Sequence, residues 1–286
     1  MTDTILITGA TGKTGRRLSD LLASAGRTTR RAARHGGDVY FDWDDAATYD
    51  TALADVDAVY LVQPTLRFDH APLVAHFLDR AELADVRHVT LLSARGVDHA
   101  PAEVPMRAIE LDLAARSDLS HAILRPGWFL QDFNEWLWHP SIVERGIIAT
   151  PAGSGAEAFV DADDIAAVAL ATLADLGHAG TEYELTGPEA LTFDDIARAI
   201  SVAAGRSVRH EVVTPDEWAS GAMALGLPAD YAGMLASLLA GIADGTGAAT
   251  TPDVEKVTGR PLAEEMQRRI LGPLGLSGTI MPDASP

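Results

Sequence analysis

Cysteine is absent from the 286 residues, which excludes disulfides, thiolate nucleophiles and cysteine-ligated metal. Lysine is nearly absent: of 22 Lys and Arg residues, Lys13 and Lys256 are the two lysines, so a site that needs an ammonium group has two places to find one. The nine histidines include no pair at i, i+4, and no metal site is expected. Long hydrophobic runs are missing as well: the stretch from Ile165 to Leu173 is too short to span a bilayer and is flanked by Asp. Positive charge is scarce. A net charge of −19 argues against nucleic acid or an anionic membrane as partner, since both reward clustered Lys and Arg. Met1-Thr2-Asp3-Thr4 carries no basic segment and passes straight into an apolar stretch, so a secretory signal is not expected and a cytoplasmic protein is.

What is present is organised around Ile5-Leu-Ile-Thr-Gly-Ala-Thr-Gly-Lys-Thr-Gly15. Three apolar residues predict a buried strand; Gly9, Gly12 and Gly15 recur every three residues; Leu18, Leu21, Leu22 and Ala25 then form a helical apolar stripe. Glycines at such a turn let a pyrophosphate approach the free N–H groups of the helix, whose partial positive charge stabilises an anion. Gly9, Thr11, Gly12, Lys13, Thr14 and Gly15 are therefore the expected phosphate-binding residues. Gly12-Lys13-Thr14 also suggests a P-loop, but that motif needs a glycine where Ile7 stands.

Further along, strands at 27–33, 39–41, 58–62, 89–93 and 122–125 alternate with helices at 45–53, 69–84 and 105–116. The alternation predicts an α/β fold, a doubly wound parallel sheet of the Rossmann type. About twenty residues past the glycine turn a site for NAD would carry Asp or Glu against the ribose; here stand Arg30, Arg31 and Arg34. Guanidinium groups suit the 2′-phosphate of NADP, so NADPH is the expected cofactor, with Arg34 the first candidate and Arg30 or Arg31 the second. Asp42 either meets the adenine amino group or caps the next turn. Gln63 and Ser93 end the fourth and fifth strands, on the side that faces a nucleotide in such sheets. His70 and His76 are expected to be solvated. Asp161, Asp163 and Asp164 are expected to cap a helix rather than bind metal.

The segments Thr8–Gly15, Leu91-Leu-Ser-Ala94, Leu124-Arg-Pro-Gly-Trp-Phe129, Phe159-Val-Asp-Ala-Asp-Asp-Ile-Ala166, Tyr183-Glu-Leu-Thr-Gly-Pro188 and Val257-Thr-Gly-Arg-Pro261 together resemble the NmrA-like group of atypical short-chain dehydrogenases. The resemblance covers nearly the whole chain. It implies NADPH-dependent reduction of quinones, azo or triphenylmethane dyes, or carbonyl and related intermediates of secondary metabolism, although the group also contains a regulator that binds dinucleotide without turnover. It implies a nucleotide-binding core at 1–128 with 158–190 returning to the sheet, and a smaller, mostly C-terminal α+β substrate lobe at 129–157 and 191–286.

One departure from the wider superfamily is chemical. No Tyr-x-x-x-Lys pair exists: the residues four beyond Tyr40, Tyr49, Tyr60, Tyr183 and Tyr231 are Asp44, Leu53, Pro64, Gly187 and Leu235. Ketone reduction needs an acid to protonate a basic alkoxide, whereas a quinone or cationic dye gives a weakly basic or neutral product that water can serve. An electron-poor, delocalised acceptor is therefore expected, with Ser93 as a weak catalytic candidate. Phe129, Phe133 and Trp136 fall at helical spacing, and Trp128 and Phe129 are the expected substrate-positioning rings; Gln131, Asp132 and Asn134 are polar neighbours. The other reading is a redox sensor that reports NADP(H) to a protein partner. Otherwise the expected partners are a small-molecule substrate and a second copy in a homodimer.

Overall fold

The computed structural model describes residues 4–260. Pro261 and the remainder of the expected 191–286 lobe lie outside the described residues, as do Met1 to Asp3. The chain opens with β1 (Thr4–Thr8), α1 (Lys13–Ser24), β2 (Thr28–Ala33), β3 (Val39–Tyr40), α2 (Tyr49–Leu53), β4 (Ala58–Val62), α3 (Ala71–Leu83), β5 (His88–Leu92), α4 (Pro105–Ala115) and β6 (Ser120–Pro126). It then forms α5 (His139–Arg145), β7 (Ile147–Thr150) and β8 (Ala156–Glu157), followed by α6 (Ala162–Ala174) and β9 (Thr181–Leu185). The rest is β10 (Leu191–Thr192), α7 (Phe193–Ala204), β11 (Arg209–Val212), α8 (Pro215–Ala224), α9 (Ala229–Gly241) and α10 (Asp253–Thr258).

Two compact units result. The first comprises the chain up to Gly127 plus Asp161–Leu185; the second comprises Trp128–Val160 and the chain from Thr186.

In the first unit seven parallel strands run in the order β3-β2-β1-β4-β5-β6-β9. Ile5, Leu6 and Ile7 are fully buried because helices cover both faces, which is why β1 reads as a continuous apolar run rather than an alternating one. On one face α1 buries Leu18 and Leu22 and packs on the alanine-rich α6. Asp161 caps α6 by accepting from the Asp163 amide at 2.7 Å, and Arg17 pairs with Asp163 at 2.5 Å. On the other face α2, α3 and α4 cover a core that includes Phe41, Tyr49, Phe77, Val89 and Ile123. The strand order turns back between β1 and β4, which leaves a crevice at the carboxyl ends there.

The second unit is built on an aromatic core. Phe133 stacks on Trp138 at 4.7 Å between centroids, and Phe159 and Phe193 close the cluster edge-on. Two short ladders, β11 on β7 and β10 on β8, flank it. The helix expected through residues 129–136 does not form. Phe129 is extended and bridges to Val160: the Val160 amide donates to the Trp128 carbonyl at 2.9 Å and the Leu130 amide to the Val160 carbonyl at 3.0 Å. A single tight turn at Leu130–Asp132 follows, so Phe133 and Trp138 enter the core while Trp136 is exposed.

Candidate functional site

The crevice between β1 and β4 opens into a cavity of about 430 Å³. Four strand exits wall it: Gly9, Thr11 and Gly12 after β1, Ala33 and Arg34 after β2, Phe41 to Asp44 after β3, and Val62 to Thr65 with Arg67 after β4.

The turn after β1 is shaped by close approaches. Gly9 adopts φ +63°, and its carbonyl accepts from the Gly12 amide at 2.9 Å. At Gly15 a Cβ would lie 2.4 Å from the Gly9 carbonyl oxygen and 2.9 Å from Ala10 Cα, so only glycine lets α1 start this close to β1. Gly12 begins α1, no side chain caps it, and no acidic residue occupies the first turn. An N-terminus left in this state favours an anion through its amides and dipole. Thr8, which the sequence did not single out, ties the two strand ends together: its hydroxyl accepts from the Val62 amide at 2.7 Å.

The three arginines separate. Arg34 is exposed on the cavity wall and makes no hydrogen bond or ion pair among the described residues. Arg31 is bidentate to Asp38, which holds that carboxyl below its ordinary range. Arg30 is a correction. Its side chain turns away from the cavity to the carbonyls of Ala52 and Ala54, because Arg30 sits mid-strand opposite Leu6, well before the exit. Lys13, Thr14 and Gly15 do not wall the cavity either: Thr14 and Gly15 are buried where helix meets strand, and Lys13 is half-buried at the first position of α1. What these three can offer an anion includes the backbone amides at the start of the helix.

Asp42 lies on the wall and also accepts from the Asp44 amide at 3.1 Å, so it caps its own turn. Gln63 is buried on the wall, and its Oε1 has no hydrogen-bond partner among the described residues. A buried amide oxygen without a donor costs roughly 1–3 kcal/mol, which a ligand hydroxyl or amide could recover. His70, expected in solvent, is buried at the start of α3 with Nδ1 against the Arg67 carbonyl at 2.9 Å, and burial lowers its pKa.

Ser93 belongs to a buried polar chain. Its hydroxyl donates to Glu110 Oε1 at 2.6 Å, Arg125 grips both oxygens of Glu110 at 2.8 and 2.9 Å, and Arg107 adds a third contact at 2.8 Å. Burial pushes the Glu110 carboxyl upward, but Arg125, Ser93 and Arg107 outweigh it and the net shift is downward. An ionised Glu110 thus accepts the Ser93 hydroxyl proton in a hydrogen bond, which leaves the Ser93 oxygen able to accept. Trp128 and Phe129 are half-buried in the second unit, where Trp128 packs against the aromatic core. Asp132, one of their polar neighbours, accepts from the Phe129 amide at 3.3 Å and so has a structural task.

The Gln63 amide oxygen and Arg34, both without a partner among the described residues, the uncapped start of α1 and the glycine packing all fit a phosphate-bearing nucleotide. Comparison with known proteins points the same way. A family model described as NAD(P)H-binding matches residues 9–176. The chain is 38% identical to the uncharacterized oxidoreductase YesF of Bacillus subtilis (strain 168) over 262 residues, 90% of each chain. It is 34% identical to agroclavine dehydrogenase of Claviceps fusiformis over 271 residues, 90% of this chain and 92% of that one. Among solved structures it resembles an NADPH-dependent quinone oxidoreductase of Escherichia coli complexed with NADPH, with a TM-score of 0.72 and 25% identity over 92% of this chain and 99% of that one.

Proposed function

The chain belongs to the NAD(P)H-binding family of NmrA-like atypical short-chain reductases and is an oxidoreductase, and from that premise we propose that it uses NADPH to reduce a small, conjugated organic acceptor such as a quinone, dye, enone or aromatic intermediate. The carrying observation is the cavity at the β1/β4 crevice, walled by Gly9, Thr11, Gly12, Arg34 and Gln63. NADPH, when bound, supplies the hydride.

The residues divide the work by charge. The amides at the start of α1 take the pyrophosphate, and Arg34, which has no counter-ion among the described residues, takes the 2′-phosphate. Gln63 offers its unpartnered oxygen to a ribose hydroxyl. Ser93, its proton held by Glu110, offers an acceptor at the exit of β5 and is not a proton source. Trp128 and Phe129, the first residues beyond Gly127 after β6, are our choice for the rings that position a flat acceptor. The sensor reading is not needed: the relatives named above are oxidoreductases, a dehydrogenase and a quinone reductase.

With no Tyr-x-x-x-Lys pair, and with the Ser93 hydroxyl proton engaged by Glu110, the acceptor must tolerate protonation by water. NADPH oxidation across quinones, cationic dyes, enones and simple ketones tests this. Quinones and dyes should be reduced at least about tenfold faster than unactivated ketones. Equal rates for simple ketones would overturn the acid-free reading.

A further inference from the structure

We propose that Arg67 is the residue that recognises the purine base of the dinucleotide, an assignment that rests on the NADPH reading above and adds to it the contact at the base. Nothing local in the sequence marks Arg67; its place in the fold does. Arg67 lies on the cavity wall in the loop after β4, and Asp44 lies on the same wall in the loop after β3. Between β3 and β4 in the sheet stand β2 and β1, so the Arg67–Asp44 ion pair, at 2.6 Å, joins loops from strands that do not touch. Arg67 is held from the other side by Asp69, through Nε at 2.5 Å and a second nitrogen at 2.8 Å. Its guanidinium is thereby fixed by two carboxylates before any ligand arrives.

Three features make this a base contact rather than a phosphate contact. The first is charge: Arg67 with Asp44 and Asp69 sums to −1, and Asp42 on the same wall adds another negative group, so a phosphate would be repelled. Arg34 and the start of α1, which lack such neighbours, form the cationic part of the same cavity. The second is shape. A guanidinium held by its edge presents a flat face, and such faces stack on aromatic rings with little further loss of side-chain freedom. Trp43, also on the wall, is packed edge-on against Phe41 and Phe77 at 4.9 and 5.3 Å, so this part of the cavity is aromatic and firm. The third is backbone conformation. Leu66, immediately before Arg67, has φ +64°, a conformation that costs a leucine free energy and persists only where the surroundings hold it. The loop bends here to bring Arg67 to the wall.

The test is titration of Arg67→Ala and Arg67→Lys proteins with NADPH, NADH, 2′,5′-ADP and nicotinamide mononucleotide, with folding checked by thermal melting. Arg67→Ala should raise the dissociation constants of NADPH, NADH and 2′,5′-ADP together by about tenfold, leave the NADPH-to-NADH ratio within about twofold, and leave the mononucleotide unchanged. Arg67→Lys keeps a cation for Asp44 and Asp69 but has no flat face, and should recover little of that affinity. Unchanged affinities, a loss confined to NADPH, or full recovery by lysine would each overturn the assignment. If Arg67→Ala does not fold, the lysine variant decides alone. Wild-type protein that binds neither NADPH nor NADH would remove the cofactor reading itself, a result separate from failure of Arg67.

Discussion

At the scale of single residues, burial and pairing decide which of several similar side chains is free to act. Arg30, Arg31 and Arg34 are nearly adjacent in sequence, yet carbonyls hold the first, Asp38 holds the second, and the third stands unpaired on a cavity wall. Arg34→Ala should therefore raise the dissociation constant of NADPH about tenfold or more while changing that of NADH less than about threefold, because an exposed guanidinium contributes chiefly to a doubly charged phosphate. Equal loss of both, read by titration, would remove the 2′-phosphate assignment. Ser93 is decided in the same way. Ser93→Ala leaves Glu110 with Arg125 and Arg107 and one hydrogen bond fewer, so a stability loss of about 1–3 kcal/mol is expected together with a less than about tenfold fall in quinone reduction. Urea unfolding and steady-state rates check the two parts; abolished turnover in a folded variant would mean that a protein acid is required.

At the scale of elements, the strand–turn–helix at the start of the chain separates two roles for glycine. A Cβ at Gly12 would lie 3.1 Å from the Gly9 carbonyl oxygen, tight but open to adjustment, whereas at Gly15 it would lie 2.4 Å from that atom. Gly12→Val should thus keep the fold and lose dinucleotide binding, since the branched side chain stands before the helix amides. Gly15→Ala should push α1 away from β1 and lower stability by about 1–3 kcal/mol as well as weaken binding. Unfolding midpoints beside NADPH titrations distinguish them, and Gly15→Ala with wild-type stability would contradict the packing described. The segment 129–136 shows where helical spacing misleads: its aromatic residues repeat correctly, but the Leu130 amide donates to Val160, the Phe129 amide to the Asp132 carboxylate, and a tight turn at Leu130–Asp132 replaces the helix.

At the scale of the whole molecule, acid tolerance should be set in part by His88. It is buried at the start of β5, with its ring nitrogens against Ser120 at 3.0 Å and Thr90 at 3.2 Å, and burial, then His121 and His178, lower its pKa to about 4. The unfolded chain binds this proton near 6.5, the ordinary value, and the folded chain resists it until about 4. The folded state therefore loses stability as pH falls from 6.5 towards 4, by at most about 3 kcal/mol, and keeps that contribution above 6.5. Urea midpoints between pH 7 and 4 should fall for wild type and flatten for His88→Gln; identical slopes would assign the acid limb to other groups. No described helix is long and apolar enough to cross a membrane. NADPH in hundredfold excess over its dissociation constant should stabilise the folded protein by about 2.7 kcal/mol, visible as a raised melting temperature.

The amino-acid order by itself determined the alternation of strands and helices, the glycine turn and the exclusion of thiol and Tyr-x-x-x-Lys chemistry, because these depend on periodicity, local backbone freedom and the presence of a residue type. The order of neighbours decided the rest. That Arg34 is free and Arg30 is not, that Gln63 is left without a donor, that Glu110 takes the Ser93 proton, and that Arg67 reaches Asp44 across two intervening strands are all pairings between residues far apart in the chain. Local propensity carries no record of such partners, since each is set by where the sheet places the ends of its strands.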